Sequence, residues 1–329
     1  MEEEMIKPSF RDILAAQRNL GDLIRRTPLE YSPLLSRKTG CQLYLKLENW
    51  QKTGSFKVRG ATNKVASLSE VERAKGLVTA SSGNHGLGVF YAARALGGLK
   101  ATVFVPTNAP RSKVEKLQGF EGQLFLEGKD YDEADLIAQE FARKQGATYI
   151  HAYEDAEAIA GQGTVGLEIM SNLPKVEALL VPVGGGGLIS GVAIAAKTIN
   201  PRVRVIGIQP QASPAAYLSL RDGHPYERYE AAPTIADGLA GGFGRLPFEI
   251  IKGLVDEILI VNEEEIRSAV FALLESAQLV VEGSGAVGVA ALLAGKIDLE
   301  GKKVATILSG GNIDTDLLFQ IMAERYGVE

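Results

Sequence analysis

One short stretch of the chain holds a lysine among small and polar neighbours: TGSFKVRGA, residues 53–61. Gly54 and Ser55 leave space beside the amine of Lys57. A lysine in a small polar pocket can react as a nucleophile or a base, because burial lowers the pKa of its amine. The alternative is a solvated turn that leads into a helix. We interpret Arg59 as structural, paired with an acid of the same lobe.

Four consecutive glycines follow an apolar segment in VGGGGLIS, residues 183–190. Glycine reaches backbone conformations that other residues avoid, and it lets a ligand approach the main chain. Several amides that converge at the N-terminus of a helix form an anion site, and phosphate is a natural guest. We therefore predict a phosphate site at Gly184–Gly187 rather than a merely flexible turn. The stretch is not a Walker loop, because no Gly-Lys-Ser/Thr sequence follows it.

A second polar turn is SSGNHG, residues 81–86, which follows an apolar run. Backbone amides and hydroxyl groups at the start of a helix can hold a carboxylate. The alternative is an ordinary N-cap, since Ser and Asn cap helices routinely. Capping accounts for one polar residue but not for five small or polar residues in a row. The turn is therefore predicted to bind a carboxylate.

Two further glycine-rich turns lie near the C-terminus. SGGN, residues 309–312, follows an apolar run and places Ser309 where it could hydrogen-bond a flat ligand, although an ordinary turn fits equally well. GSGAVG, residues 283–288, matches the dinucleotide fingerprint G-x-G-x-x-G. No acidic residue follows where a ribose would need one, so we do not predict a nicotinamide site there.

A phosphate site, a carboxylate site and a reactive lysine are the requirements of one cofactor, pyridoxal phosphate (PLP). The aldehyde of PLP forms a Schiff base with a lysine, and its phosphate needs a glycine-rich turn. The combination of the three stretches predicts PLP as the cofactor, with Lys57 as its lysine.

Apolar runs alternate with helical patterns along most of the chain. The predicted strands are Gly76–Ala80, Ala101–Val105, Gln123–Leu126, Ala178–Val183, Val203–Ile208 and Val304–Leu308. The predicted helices are Leu87–Leu96, Ser112–Gln118, Asp132–Lys144, Leu188–Ile199 and one that starts at Asp314. This alternation predicts an α/β fold with parallel sheets and helices on their faces. About ten such strands are too many for one compact sheet, so we expect two. The long irregular segment Asp222–Pro247 is expected to be a functional or mobile loop.

The composition excludes several classes of protein. The 329 residues carry a net charge of −5 with acidic and basic residues mixed, which argues against a nucleic-acid or membrane partner. The acidic start of the chain does not resemble a secretory signal, and the apolar runs are too short to span a membrane. The single cysteine, Cys41, is expected to be structural and fits a reducing, cytoplasmic compartment. The three histidines are widely spaced, so no histidine metal cluster is expected.

Over nearly its whole length the chain resembles the fold-type II PLP enzymes, specifically the group of threonine/serine dehydratases (ammonia-lyases) and serine racemases. The resemblance rests on seven stretches: KLENWQKTGSFKVRGA (46–61), SSGNHG (81–86), IAGQGTVGLEI (159–169), VPVGGGGLISG (181–191), TIADGL (234–239), VEGSGAV (281–287) and LSGGNID (308–314). It implies a two-domain α/β fold, similar to that of the tryptophan synthase β chain, with two mainly parallel twisted sheets flanked by helices. Residues 1–67 and 150–329 would form a large PLP-binding domain, and residues 68–149 a small domain that clamps the substrate. It also implies a homo-oligomer, a dimer or a tetramer.

The resemblance further implies roles for individual residues. The residues implied to bind the cofactor are Phe56 against the ring, Lys57 as the Schiff-base lysine, Asn84 at the 3′-oxygen, Gly184, Gly185, Gly186, Gly187 and Leu188 at the phosphate, and Ser309 at the pyridine nitrogen. The residues implied to surround the substrate are Ser55, Ser81, Ser82, Gly83, Asn84 and His85. A neutral serine at the pyridine nitrogen makes a weaker electron sink than an aspartate, which favours prompt loss of a leaving group from the β-carbon.

The expected activity is β-elimination from L-threonine or L-serine, which releases 2-oxobutyrate or pyruvate and ammonia. Lys57 would remove the α-proton. Ser82 matches the racemase pattern, in which a serine delivers a proton from the face opposite the lysine, so a serine racemase is the alternative. An ammonia-lyase for hydroxyaspartate or phenylserine, or a PLP-binding protein without activity, also remains open.

Some positions depart from the racemase pattern. The divalent-metal site of the racemases uses a glutamate and an aspartate, whereas the matching positions here are Gln209 and approximately Ala215. Gln209 and the pair Glu282-Gly283 resemble the threonine dehydratase branch instead. No metal is therefore expected at that site. Because the chain ends at Glu329, soon after SGGN, a C-terminal regulatory domain is not expected either.

Overall fold

The computed structural model describes residues 5–109 and 111–327, with the side chain of Ser112 left out. Residues 1–4 and 328–329, at the outer ends of the predicted large domain, lie outside the described residues. The strands are β1 Leu29–Tyr31, β2 Gln42–Lys46, β3 Leu77–Ala80, β4 Ala101–Val105, β5 Gln123–Leu126, β6 Thr148–Tyr149, β7 Ala178–Pro182, β8 Arg204–Pro210, β9 Glu257–Val261 and β10 Lys303–Ile307. The helices are α1 Phe10–Leu20, α2 Pro33–Thr39, α3 Lys57–Ser67, α4 Glu70–Ala74, α5 Asn84–Ala95, α6 Arg111–Gln118, α7 Tyr131–Gln145, α8 Ala156–Asn172, α9 Gly187–Ile199, α10 Ala215–Asp222, α11 Arg245–Ile251, α12 Glu263–Ala277, α13 Gly283–Leu293 and α14 Thr315–Tyr326.

The strands form two separate sheets. The larger sheet has six strands in the order β1-β2-β10-β7-β8-β9, and the smaller has four in the order β5-β4-β3-β6. All pairs are parallel except β1 with β2 at the edge of the larger sheet. The expectation of an α/β fold with two mainly parallel sheets is therefore confirmed.

Helices cover both faces of each sheet. The larger sheet separates two apolar clusters, one that includes α8 and α9 and one that includes α12 and α13. The smaller sheet likewise separates a cluster under α5 from one under α7. Burial on both faces explains why every residue of β4 and β7 is buried and why both strands are mostly apolar rather than alternating.

Helix α8, the longest helix of the described residues, is rich in glycine, a residue that disfavours helix. Helix α8 contains Gly161, Gly163 and Gly166, which suggest a loop, and it was not predicted. Each helps another helix to approach closely. On the facing helix α9, a Cβ at Gly191 would lie 2.4 Å from the carbonyl oxygen of Ile159. Tight packing of α8 on α3 and α9 thus replaces helix propensity as the reason why this segment is helical.

The two sheets come from different parts of the chain. The four-stranded sheet lies within residues 77–149, whereas the six-stranded sheet takes strands from both sides of that segment. The carboxyl ends of β3, β7 and β10 lead directly into the three predicted ligand-binding turns. Among the helices of the described residues, none is long and apolar enough to cross a membrane.

Candidate active site

A cavity of about 250 Å³ lies where the predicted turns meet. Its wall includes the ends of β3 and β7 and the first residues of α3, α5 and α9. The predicted site residues that line it are Phe56, Lys57, Ser81, Ser82, Gly83, Asn84, His85, Gly184, Gly185, Gly187, Leu188 and Ser309. The structure thus brings together residues that are more than two hundred positions apart in the sequence.

Lys57 is the first residue of α3, and its side chain lines the cavity. The Nζ atom lies 5.4 Å from the centroid of the Phe56 ring, a distance at which a cation interacts with the aromatic face. Burial lowers the pKa of Lys57 to about 8, although the charge of Glu282 opposes the shift. The amine can therefore lose its proton near neutral pH, as a base or a nucleophile must.

A cluster of four buried charges anchors helix α3 two residues beyond Lys57. Arg59 Nε donates to Glu48 Oε2 at 2.7 Å, and Arg59 Nη1 donates to Glu168 Oε1 at 2.7 Å. Glu168 also accepts a hydrogen bond from the ammonium of Lys46. We expected Arg59 to pair with one acid, and the structure shows that it pairs with two, Glu48 and Glu168. These four residues are called the paired cluster below.

The glycine turn joins β7 to α9. Gly184, Gly185 and Gly187 line the cavity, whereas Gly186, at φ +98°, faces Phe243 and Pro247. A Cβ at Gly185 would lie 2.3 Å from a ring carbon of Tyr153, so no larger residue fits between that ring and the turn. The first amides of α9 have no acceptor within the helix and can bind an anion in the cavity.

The SSGNHG turn joins β3 to α5. Helix α5 begins at Asn84, three residues before the predicted start at Leu87, so Asn84 and His85 form its first turn. The N–H of Gly83 donates to Ser81 Oγ at 3.1 Å, which fixes the shape of the turn. The first backbone amides of α5 remain available to a carboxylate.

The ring of His85 has a defined tautomer. Because the carbonyl oxygen of Ile150 can only accept, His85 Nε2 must carry the hydrogen in their 3.0 Å contact. Burial lowers the pKa of His85 to about 3, so the ring is neutral and Nδ1 is an acceptor. In this arrangement the ring cannot donate to a carboxylate, and only the backbone N–H of His85 can do so.

Asn312 connects three of the sequence motifs and was not predicted as a site residue. Its Nδ2 donates to Asn84 Oδ1 at 2.7 Å and to the carbonyl oxygen of Thr53 at 2.9 Å. The SSGNHG turn, the stretch that carries Lys57 and the SGGN turn are thus joined through one side chain. Asn312 lies inside a stretch that sequence analysis had singled out, so its position in the motif was the available signal.

Glu282 is a second functional candidate that is not among the predicted site residues. It is only 3% exposed, lines the cavity and stands immediately before helix α13. Its Oε1 accepts a hydrogen bond from Asn84 Nδ2 at 2.7 Å. Burial raises the pKa of Glu282 to about 7, while Lys113 lowers it and Asp237 raises it further. In the sequence it was marked by the resemblance of the pair Glu282-Gly283 to the threonine dehydratase branch and by its place beside the GSGAVG turn.

An ion pair in the wall of the cavity connects helix α6 to the segment Asp222–Pro247. Lys113 on α6 donates to Asp237, which lies in the short helical turn Asp237–Leu239. Burial opposes the charge of Lys113, but Asp237 and Glu282 outweigh it and raise the pKa of this lysine. Asp237 belongs to the long irregular segment Asp222–Pro247, which therefore contributes to the cavity as expected for a functional loop.

Two predicted site serines occupy different places. Ser309 lines the cavity, its Oγ lies 3.4 Å from the carbonyl oxygen of Ser284, and its own carbonyl accepts from the N–H of Phe56 at 3.0 Å. Ser55 is fully buried, forms a β-bridge with Gly310 and is not part of the cavity wall. The structure thus places Ser55 behind the site and not on its surface.

The positions compared with the racemase metal site have protein partners. Gln209 is buried, its Nε2 donates to the carbonyl oxygen of Val183 at 3.2 Å, and its Oε1 accepts from the N–H of Tyr217 at 2.9 Å. Ala215 is the first residue of α10 and is also buried. Gln209 therefore supports the start of the glycine turn. Among the described residues there is no group of three or more His, Cys, Asp or Glu arranged to hold a metal.

The remaining motif and the cysteine are structural. GSGAVG opens helix α13 after an irregular segment and not after a strand, so it lacks the setting of a dinucleotide fingerprint. Cys41 is buried in the apolar cluster beneath α12 and α13, where burial raises the pKa of its thiol. Of the GSGAVG residues, Ser284 alone is among the cavity-lining residues, and Cys41 is not among them.

The family model described as "Pyridoxal-phosphate dependent enzyme" matches residues 20–310 of the chain. The chain belongs to this family. PLP is accordingly its cofactor, and the residues of the cavity fit it: the glycine turn offers amides to a phosphate, and Lys57 offers an amine of lowered pKa.

Named relatives cover most of this PLP enzyme. L-threonine ammonia-lyase of Thermotoga maritima is 52% identical over 95% of this chain and 78% of its own length. The catabolic L-threonine dehydratase TdcB of Escherichia coli K12 is 41% identical over 94% of each chain. Among solved structures, maize serine racemase has a TM-score of 0.89 at 35% identity and covers 98% of this chain and 99% of its own.

Proposed function

We propose that this protein is a PLP-dependent ammonia-lyase that converts L-threonine to 2-oxobutyrate and ammonia, and L-serine to pyruvate and ammonia. The observation that carries the proposal is the meeting of Lys57, the glycine turn and the SSGNHG turn in one cavity. The relatives named as threonine ammonia-lyase and threonine dehydratase support the choice of substrate.

The residues that would hold the cofactor come from four elements. The amides of Gly184–Gly187 and the N-terminus of α9 would bind its phosphate, Phe56 and Asn84 would contact its ring, and Ser309 would face its ring nitrogen. PLP would supply an electron sink that makes the proton on the substrate α-carbon acidic once the substrate amine has displaced Lys57, which leaves the lysine amine free. A neutral hydroxyl such as that of Ser309 leaves this sink weaker than a carboxylate partner would.

Lys57 would act as the base that removes the α-proton. Its pKa of about 8 leaves a fraction of the amine neutral at pH 7 and most of it neutral at pH 9. An ordinary lysine, with a pKa near 10.4, would hold its proton throughout this range. After it accepts the α-proton, the ammonium can return a proton to the departing hydroxyl group.

The SSGNHG turn would bind the substrate carboxylate. Ser81, Ser82 and the first residues of α5 line the cavity, so their hydroxyl groups and backbone amides would supply the donors. These groups carry no net charge, so the N-terminus of α5 would supply much of the electrostatic attraction. The ring of His85, an acceptor at Nδ1, would remain outside this set of donors.

The experiment that tests the proposal uses the purified protein with PLP and L-threonine. We expect 2-oxobutyrate and ammonia in equal amounts, and pyruvate when L-serine replaces L-threonine. D-Threonine is the matched control, because its α-proton faces away from Lys57 when its carboxylate and amine are held in the same way. Binding of PLP without any 2-oxo acid from L-threonine would reject the assignment.

Serine racemisation is a second candidate function. Ser82 lines the same cavity as Lys57, and a hydroxyl group on the opposite face of the substrate could return the proton with inverted configuration. The likeness to maize serine racemase favours this candidate. Chiral analysis of L-serine reactions with Ser82→Ala tests it: racemisation should fall more than elimination. An equal fall in both rates would remove Ser82 from that role.

The assembly and the location of the enzyme stay predictions. A dimer or tetramer is expected, which analytical ultracentrifugation of the full chain can test. A cytoplasmic location is expected because the single cysteine is a free, buried thiol, as suits a reducing compartment. The small amino acid stays the expected partner, with no nucleic acid.

A further inference from the structure

Glu282 is a buried carboxyl group whose hydrogen bonds are incomplete. Its Oε1 accepts from Asn84 Nδ2 at 2.7 Å, whereas its Oε2 is fully buried and has no hydrogen-bond partner among the described residues. A carboxylate has two strong acceptors, and leaving one of them buried and unpaired is costly. Protonation relieves this cost, so the environment of Oε2 favours the neutral acid.

Asn84 is held in one orientation by two partners. Its Oδ1 accepts from Asn312 at 2.7 Å, and its Nδ2 donates to Glu282 at 2.7 Å. These contacts distinguish the oxygen of the amide from its nitrogen, because Asn312 Nδ2 also donates to the carbonyl oxygen of Thr53 and must therefore be the donor toward Asn84 Oδ1. Nδ2 carries two hydrogens, so one N–H of Asn84 stays available to a ligand in the cavity.

Charged groups from three elements face Glu282. Lys113 and Lys116 of α6 favour its ionised form, and Asp237 of the short turn Asp237–Leu239 disfavours it. Lys57 of α3 is coupled to it as well, since the charge of Glu282 raises the pKa of that amine. The balance leaves the pKa of Glu282 at about 7, where the carboxyl group exchanges its proton under ordinary conditions.

We propose that Glu282 is a positioning residue that acts through Asn84, and that the proton it exchanges makes the active site sensitive to pH. The ionised carboxylate holds Asn84 with a charge-assisted hydrogen bond and places a negative charge near Lys57. The neutral acid weakens that bond and removes the charge. The inference rests on PLP as the ligand of the cavity and on the proposed function for its link to turnover.

The absorbance of the bound cofactor reports on this proton without requiring turnover. The holoenzyme is titrated between pH 5.5 and 9 as wild type, as Glu282→Gln and as Glu264→Gln, in which an exposed glutamate of α12 is neutralised. We expect the wild type and the Glu264→Gln control to show a spectral transition with a midpoint near pH 7. Glu282→Gln keeps an acceptor for Asn84 but cannot titrate, so it should lack the transition. An unchanged midpoint in Glu282→Gln would overturn the proposal.

The connection through Asn84 is tested by binding. The dissociation constant of PLP is measured for Asn84→Ala, Glu282→Ala and the double variant. Each single change should weaken binding by about 10-fold, and the double variant should be no weaker than the worse single one, because both remove the same interaction. If the losses of PLP affinity in the two single variants multiplied in the double variant, Glu282 would not act through Asn84.

Infrared spectroscopy of the wild type covers the case in which a variant does not fold. A protonated carboxyl group has a C=O band separate from that of a carboxylate. We expect such a band in the holoenzyme at pH 6 and its loss by pH 8, and a holoenzyme without it would contradict the proposal. If the wild type does not turn over L-threonine, the substrate assignment fails, whereas the spectral and binding outcomes still decide the role of Glu282.

Discussion

Helix α3 contributes to two groups of buried charges, the cavity through Lys57 and the paired cluster through Arg59. The pKa values of the two groups shift, for the most part, in opposite ways. In the paired cluster, Arg59 makes hydrogen bonds to both Glu48 and Glu168. In the cavity, the hydrogen bonds of Glu282 are incomplete, and the amine of Lys57 meets the face of an aromatic ring. Both groups are removed from water, so the difference lies in how fully each charge is compensated.

The pKa values follow this compensation. In the paired cluster burial works against both charges, yet pairing outweighs it, so the pKa of Arg59 is raised and that of Glu48 is lowered. Lys46, at the edge of the cluster, has a pKa lowered by burial even though Glu168 opposes the shift. In the cavity burial wins for Lys57 and for Glu282, and both can exchange protons near neutral pH. A buried group with complete ion pairs keeps its charge near neutral pH, whereas a buried group with incomplete pairing can gain or lose a proton there.

Lys57→Ala should cause the largest loss of activity. Removing both the link to PLP and the base should lower kcat for L-threonine by about 10⁴-fold or more. Stability should not fall, because the change removes a desolvated amine. In protein freed of PLP, the cost of burying the charged amine exists below pH 8 and disappears as the pH rises toward 10.5, so any gain in stability should be seen at pH 7 and be lost above pH 10. Initial rates and urea unfolding at both pH values check this, and a large loss of stability would contradict the comparison.

Glu48→Gln, in the paired cluster, should lower the stability of the protein. The substitution leaves Arg59 buried with one carboxylate where it had two, and we expect a loss of about 3–5 kcal/mol in the free energy of unfolding. The matched control is Glu140→Gln, which breaks an exposed ion pair with Arg143 and should leave the unfolding midpoint unchanged. Urea unfolding at pH 7 measures both variants. A Glu48→Gln protein as stable as the control would show that the paired cluster does not anchor α3.

Asn312→Ala should have a smaller effect, because it removes neutral hydrogen bonds. The substitution leaves Asn84 Oδ1 and the carbonyl oxygen of Thr53 without their partner, so kcat/KM should fall by about 10-fold. Asn19→Ala removes a comparable amide bond to Asn63 outside the cavity and should leave kcat/KM unchanged. Steady-state rates compare the two variants, and equal losses would indicate a general effect on stability and not on the site.

Substitutions at Lys113 and Asp237 should have the smallest effects, which are opposite shifts in the pH midpoint of the cofactor absorbance. The charge of Lys113 lowers the pKa of Glu282 and that of Asp237 raises it, so Lys113→Met should move the cofactor transition to higher pH and Asp237→Asn to lower pH. The same spectral titration measures both variants. Shifts in the same direction would mean that loss of the ion pair, and not charge, governs the transition.

Much of this site could be predicted from sequence because its chemistry resides in local motifs. Lys57, the glycine turn and the SSGNHG turn each lie at a strand–helix junction, where sequence position determines location in a parallel sheet. The parts that escaped prediction depend on contacts between distant segments. Glu282 and Asn312 contact Asn84 from positions 198 and 228 residues further along the chain, and no local pattern shows this.

The fold shows the same division. The apolar strands β4, β7 and β10 were predicted within a few residues, because burial on both faces leaves a continuous signal. The short edge strand β1 and the two-residue β6 carry too few residues to form a pattern. The resemblance implies that Ser55 lies near the substrate, whereas the structure shows it fully buried and bridged to Gly310, a contact between segments far apart in the sequence.

The strand order of the larger sheet has a consequence for biosynthesis. β10, which follows the other strands of the described residues along the chain, lies between β2 and β7, so the sheet stays divided until β10 has left the ribosome. The segment with Lys57 follows β2 and is joined to the residues after β10 through Ser55, Phe56 and Asn312. A nascent chain therefore carries Lys57 in an unfinished and solvated setting, and the amine acquires its lowered pKa only after the residues through Asn312 have been made.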